Sequence, residues 1–412
     1  MFRIFRSRLI RLLLGALSFA VAAGATAAGP KAYVGNFKDN TVSVIDIGAA
    51  KVIATVPVAA GPHGMAVTPD GRTVYVSGDG SSEVSVIDTA TDRVTRTIRV
   101  GNTPHGLAML PDGRLLLVGV YGEDRVAFVD TTSQAIVATV PLPKPHTIAI
   151  RPDGKFAYVA SQQPGSFALL VVDLKARAVV RSVSLQNPPR DLEFGYDGKS
   201  LYFTIAGVDA VQVVDPTSDK VVAAIPTGSS PHIANFFRGA PAATVVVQGP
   251  GELMLFNPTT RMPLRSITVG KQPHWVAATA DGKTAYVTGE GSNDVTVVDL
   301  TTAETKTIPV GAAPRKVVIQ RVAADIAAAG EKVSIKNFAF APPEVTISAG
   351  QSVTWVNEDG APHGIGYRDG AQGVNPLLRG ESFSRTFGKP GTYDYVCSVH
   401  PFMKGKVLVR AP

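Results

Sequence analysis

The chain has 412 residues, 45% of them apolar and 18% charged, which is enough for two or three domains with cores of their own and excludes a disordered protein. Its one cysteine, Cys397, excludes an internal disulfide, a four-cysteine zinc site, a cysteine-held iron–sulfur cluster, a C-x-x-C-H haem and a dinuclear copper centre built on two thiolates. The formal net charge is +7, but Arg3, Arg6, Arg8 and Arg11 precede any acid, and the remaining +3 is too mild to point to nucleic acid. Those arginines are followed by an apolar run over 12–23 and by Ala25-Thr26-Ala27, an A-x-A pattern. This order predicts an export signal over residues 1–27, cleaved after Ala27. The apolar run is shorter than the about 20 residues of a spanning helix. The expectation is a periplasmic protein with no membrane span in its mature form.

From residue 31 the chain repeats itself. An apolar run ending in aspartate recurs at Asp46, Asp88, Asp130, Asp173, Asp215 and Asp299, with Asn257 in the missing phase, at spacings of 42 or 43 residues. Pro-His recurs in step at His63, His105, His146, His232 and His274, with Arg190 and Arg315 in the other two phases. A D-G turn signal marks Asp70, Asp112, Asp153, Asp197 and Asp281. Each repeat holds four short runs of strand character, such as HGMAVTP, TVYVSG, EVSVID and RVTRTIRV. A four-stranded meander cannot bury both its faces alone; seven packed around an axis can. The segments YVGNFKDNTVSVID and YVSGDGSSEVSVID resemble the YVTN propeller repeats, and the resemblance covers residues 31–321. The chain enters at a second strand (32–35) and leaves with a lone first strand (315–321), so the last strand is expected to complete the first blade.

Residues 322–330, VAADIAAAG, read as a linker, and 331–412 as a second domain. Alternating apolar residues (Val345, Ile347; Val353, Trp355; Tyr393, Tyr395) predict the half-buried strands of a small sandwich. The expected fold class is therefore all-β: a seven-bladed β-propeller followed by a β-sandwich. Cys397, His400 and Met403 are spaced C-x-x-H-x-x-M between two strands, and His363 lies upstream in a Pro-His loop. One thiolate, two imidazoles and a thioether form the ligand set of a mononuclear blue-copper site. The alternatives are a cysteine packed as a small hydrophobe and a zinc site, although zinc rarely takes methionine. TWVNEDGAPHGI and YDYVCSVHPFMKGKVLV resemble the cupredoxins, and within them the amicyanins, whose short gap between the second histidine and the methionine is matched by His400 and Met403. The resemblance implies one type 1 copper held by His363, Cys397, His400 and Met403. It implies a redox protein partner too: a cytochrome, a cupredoxin or a periplasmic dehydrogenase. Gly364 departs from the pattern, which usually has asparagine there.

In a meander propeller the Pro-His loops all reach one mouth of the channel. His63, His105, His146, Arg190, His232, His274 and Arg315 are expected to ring it, as structural residues, an anion site or a metal site. Two functions follow. One is an electron carrier whose propeller is a docking scaffold, with no catalytic residues. The other is a copper oxidoreductase with a further site at the ring, since nitrous oxide reductase has a similar propeller–cupredoxin architecture. This chain departs from that enzyme in having five propeller histidines and a single cysteine.

Overall fold

The computed structural model describes residues 29–195, 198–237, 240, 242–321, 330–348, 351–367 and 373–410. The expected export signal, residues 322–329 of the expected linker and the turn at Asp197 lie outside the described residues. Among the described residues there are seven four-stranded antiparallel sheets, then a four-stranded and a five-stranded sheet that make a sandwich, and no α-helix.

One blade shows how the repeat folds. The strands Pro62–Val67, Thr73–Gly78, Glu83–Asp88 and Arg93–Arg99 pair in chain order. The two middle strands are buried almost throughout, because neighbouring blades cover both faces; the fourth, at the rim, is mostly exposed. In the first turn Asp70 Oδ1 accepts the Arg72 N–H (3.1 Å), and Gly71 takes the left-handed backbone (φ 68°) that favours glycine. The recurrent strand-end aspartates cap the turn before the fourth strand: Asp88 Oδ1 accepts the Thr91 N–H and Asp215 Oδ1 the Thr217 N–H. Asn257 does the same for Thr259 and Thr260, both at 2.9 Å, so an amide oxygen replaces the carboxylate without loss of the turn.

Closure of the ring is a strand pairing. Pro314–Ile319 lies antiparallel to Lys31–Asn36, with Val34 opposite Val317 and Tyr33 opposite Val318. Adjacent blades are also tied by side chains: the Tyr33 hydroxyl donates to Asp92 Oδ1 (2.6 Å) and the Tyr158 hydroxyl to Asp219 Oδ1 (2.9 Å).

The first strand of each blade lines the axis, and the recurrent histidines meet at one end of it. His63 and His105 stack with ring centroids 3.8 Å apart, His105 and His146 at 3.9 Å, and His232 and His274 at 4.1 Å. Nδ1 of His105 lies 3.0 Å from the His146 carbonyl oxygen, and Nδ1 of His146 lies 2.9 Å from that of Arg190. A carbonyl only accepts, so both Nδ1 atoms carry protons. The arginines engage neighbouring side chains: Arg190 donates to Ser230 Oγ (2.8 Å), and Arg315 donates to Glu290 while its guanidinium covers the Phe37 ring at 3.6 Å. Burial, then the charge of the neighbouring histidines and arginines, pushes all five imidazoles far below their usual range; His146 falls to about 4 and His232 to about 3.

In the sandwich, one sheet runs Ala339–Ala341, Glu331–Lys336, Ser352–Asn357, Ser382–Thr386; the other runs Glu344–Ser348, Lys404–Arg410, Gly391–Val396, His363–Tyr367, Val374–Leu377. Trp355, Tyr395, Phe340 and Phe387 fill the space between them.

Two outcomes are expected. Val317→Ala, at a fully buried position of the closing strand, lowers the unfolding free energy by about 2–3 kcal/mol in urea titrations followed by Trp275 fluorescence. Val222→Ala, on an exposed rim strand, changes it by less than about 0.5 kcal/mol. Acid weakens the propeller for a separate reason. The imidazoles titrate near 6.5 in the unfolded chain and far lower when folded, so protons bind the unfolded state preferentially. The histidine contribution is full above about pH 6.5 and falls continuously toward pH 4, outweighing the opposite contribution of Asp191 and Glu193, whose carboxyl groups are raised in the folded state; thermal melts across that range read the net slope. A flat profile contradicts the buried neutral ring.

Candidate metal centre

The four sequence-selected residues of the sandwich come from two strand ends. Val396 ends one strand and pairs with Lys404, the start of the next, so residues 397–403 form a tight loop between adjacent strands. The Cys397 N–H donates to the Met403 carbonyl (3.1 Å) and the Met403 N–H to the His400 carbonyl (2.9 Å), which closes that loop on itself. His363 begins the neighbouring strand on the other side, where Gly366 pairs with Val396 and Tyr367 with Tyr395. The register therefore sets His363 beside Cys397.

The donor atoms converge. Cys397 Sγ lies 3.6 Å from His363 Nδ1 and 3.7 Å from His400 Nδ1, and the two Nδ1 atoms are 3.3 Å apart. Cys397 and His363 have no exposed surface, and Met403, only 3% exposed, packs in the same core. Backbone N–H groups of Gly364 (3.4 Å) and His400 (3.3 Å) point at the sulfur and hold it in place. His363, Cys397 and His400 are the one group of three or more potential ligand side chains within mutual reach among the described residues. One sulfur and two imidazole nitrogens, buried and at ligand spacing, suit a single copper ion. The five propeller histidines do not form such a group: the fold brings their rings together, but tilted or edge-on to one another.

Several residues that hold this geometry were not singled out from the sequence. Asp359 Oδ2 lies 3.0 Å from His363 Nε2; a carboxylate there accepts a hydrogen bond from Nε2–H and leaves the Nδ1 lone pair toward the sulfur. The same carboxylate accepts the N–H groups of Asn337 (2.6 Å) and Phe338 (2.9 Å), two residues in the left-handed region. Burial opposes its ionisation, but these N–H donors and His363 outweigh it and hold Asp359 below the usual carboxylate range. Phe338 thereby stands edge-on to both His363 (5.5 Å) and His400 (5.0 Å). Buried Asn357 donates to the Ala361 and Leu377 carbonyls, both at 2.8 Å, and accepts the Asp359 N–H, pinning the loop before His363. Only the NEDGAPH segment, with an acid four residues before the histidine, carried any hint of this.

Gly364 has a steric reason. A Cβ there would collide with Ser398 Oγ and lie 2.8 Å from the Val374 carbonyl. Ser398, next to the cysteine, fills the space in which a longer side chain would stand.

Comparison with known proteins matches two parts of the chain. Residues 327–410 match the model of copper binding proteins of the plastocyanin/azurin family, and residues 4–115 match a YNCE-like beta-propeller model. Amicyanin-alpha of Methylorubrum extorquens is 46% identical over 89 residues, covering 20% of this chain and 74% of that protein. Amicyanin of Paracoccus versutus is 39% identical over 93 residues, covering 21% and 70%. Plastocyanin of Physcomitrium patens is 40% identical over 83 residues, covering 17% and 49%. Among solved structures, Kuenenia stuttgartiensis hydrazine synthase superposes with a TM-score of 0.60 at 20% identity, covering 70% of this chain and all of that one. Dihydro-heme d1 dehydrogenase NirN gives 0.54 at 18% identity, covering 72% and 76%; both likenesses concern the fold alone. The chain belongs to the plastocyanin/azurin family of copper-binding proteins, with an amicyanin-like cupredoxin domain for type 1 copper joined to a β-propeller.

Proposed function

We propose that this protein is an exported, periplasmic electron carrier in which His363, Cys397, His400 and Met403 hold one copper ion and the propeller serves as the docking scaffold. The observation that carries it is the convergence of Cys397 Sγ with two imidazole Nδ1 atoms in a buried site. Copper bound there supplies a one-electron couple.

The chain's own residues do the rest. Strand pairing on both sides of Cys397 and the Asp359 clamp on His363 fix the donors before any ion arrives, so little has to move when charge changes. Burial of Cys397, His363 and Met403 keeps water from the sulfur side. His400 is the more exposed imidazole, and exposed apolar side chains gather around it: Phe402 (70% exposed), Phe338 and Val399. Phe402 lies 6.0 Å from the His400 ring. An apolar patch over one histidine is what a redox protein needs to dock briefly and close to the donor set. The His363 side is closed by the core, so His400 is the route of exchange in this reading.

The wild-type protein loaded with Cu(II) is expected to be intensely blue and to bleach with a mild reductant, while Cys397→Ser loses the visible band altogether. A copper-loaded wild type without that band overturns the reading. Phe402→Ala is expected to leave the spectrum unchanged and to slow reduction by a protein partner about tenfold in stopped flow. An unchanged rate places the docking surface elsewhere.

A further inference from the structure

Beyond the histidine layer, the propeller channel opens into a cavity of about 290 Å3 with unlike walls. On one side, the inner strands of three consecutive blades contribute small apolar residues, Ala66, Ala108 and Ala149. On the other side stand Asp191 and Glu193 from the strand Pro189–Phe194 and Lys316 from the closing strand. Glu193 breaks the repeat: the equivalent residues in the second, third and fourth blades are Ala66, Ala108 and Ala149.

Asp191 is buried and Glu193 and Lys316 are half-buried, and the three are not joined. Asp191 is 3% exposed, and its one side-chain hydrogen bond among the described residues is Oδ1 to the Leu192 N–H (2.8 Å). Lys316 forms no direct ion pair with either acid among the described residues; its ammonium sits 3.7 Å from the centroid of the Trp275 ring. Burial, against the attraction of Lys316, pushes Asp191 up to about 8 and Glu193 up to about 7. Two carboxyl groups thus share one ammonium in a low-dielectric cavity. Ionising both acids leaves one positive charge missing, a cost that a bound cation removes.

We propose that this cavity binds a small organic monocation, a primary ammonium, with its charge between Asp191 and Glu193 and its carbon chain along the alanine wall. One positive charge balances the cavity when both acids are ionised; an anion would face two carboxylates. The two acids belong to no group of three ligand side chains, which disfavours a metal ion. The volume lies at the lower end of the about 300–1,000 Å3 of ligand pockets, so the guest is small. Entry is from the end away from the histidines. An adjoining cavity of about 610 Å3 shares Glu193, Trp275 and Lys316 and continues to Gln320 and Arg321 at the end of the closing strand. None of this rests on the copper site.

The test is isothermal titration of the full-length protein at about pH 9, where both acids ionise, with n-butylammonium and its neutral and anionic counterparts, n-butanol and butyrate. Butylammonium is expected to bind at least about tenfold more tightly than either. Glu193→Gln and Asp191→Asn are expected to weaken it about tenfold each, and Lys316→Met, which removes a competing cation, to tighten it severalfold. Opposite signs for acid and lysine variants are the signature, since damage to packing would weaken binding in all three. Far-ultraviolet circular dichroism checks each fold, and Glu193→Gln with Lys316→Met decides the matter should Asp191→Asn not fold. No heat with butylammonium, equal binding of butanol, or weakening by Lys316→Met overturns the proposal.

Discussion

Pairing of Pro314–Ile319 with Lys31–Asn36 sets the geometry of the propeller, because it makes residues from the two ends of the repeat region neighbours in one sheet. A ring closed in this way leaves only short inner edges facing the channel, and every inner strand is held at the same height about the axis. The second residue of each inner strand then falls in one layer, which is why five histidines and two arginines spaced some forty residues apart meet. Arg315 and Lys316 reach the channel only through the closing strand. The charge balance of the channel therefore depends on ring closure as much as on any side chain.

The sandwich solves a different problem by the same means. A thiolate must be held next to two imidazoles without an ion to gather them. Antiparallel pairing on both sides of Gly391–Val396 delivers the cysteine at one strand end, His363 from one neighbour and His400 from the loop to the other. The small size of residue 364 follows from this crowding. Ser398 fills the gap, and the Gly364 N–H still points at the sulfur, so the backbone contact survives although the family's usual side chain is missing.

Much of this was legible because it is periodic or local. The aspartate column is readable since each member caps its own turn within three residues, and Asn257 fits for the same reason. The ligand loop is readable because Cys397, His400 and Met403 lie within seven residues. Contacts across loops were not. Asp359 acts on Asn337 and Phe338, and Ser398 faces Gly364, through space that no spacing rule describes. Asp191, Glu193 and Lys316 were hidden for another reason: they are departures from the repeat, and attention to what recurs passes over what does not. The histidine column was read as a ring, and the rings do meet, but the orientation of their nitrogens depends on backbone carbonyls of the next blade.

That orientation explains how one residue type does two jobs in one chain. A neutral imidazole has one proton and one lone pair, and whichever nitrogen is committed to a partner decides what the other offers. In the propeller, Nδ1 of His105 and His146 is spent on a carbonyl of the adjacent blade, and the two rings pack tilted against each other. Such a histidine ties blades together and resists protonation. In the sandwich the commitment is reversed: Asp359 accepts a hydrogen bond from the Nε2–H of His363, and Nδ1 turns toward Cys397. Burial alone does not separate the two cases, since both sets are enclosed. The partner decides which nitrogen keeps its lone pair: Nε2 in His105 and His146, whose Nδ1 donates to a carbonyl, and Nδ1 in His363, whose Nε2 faces a carboxylate.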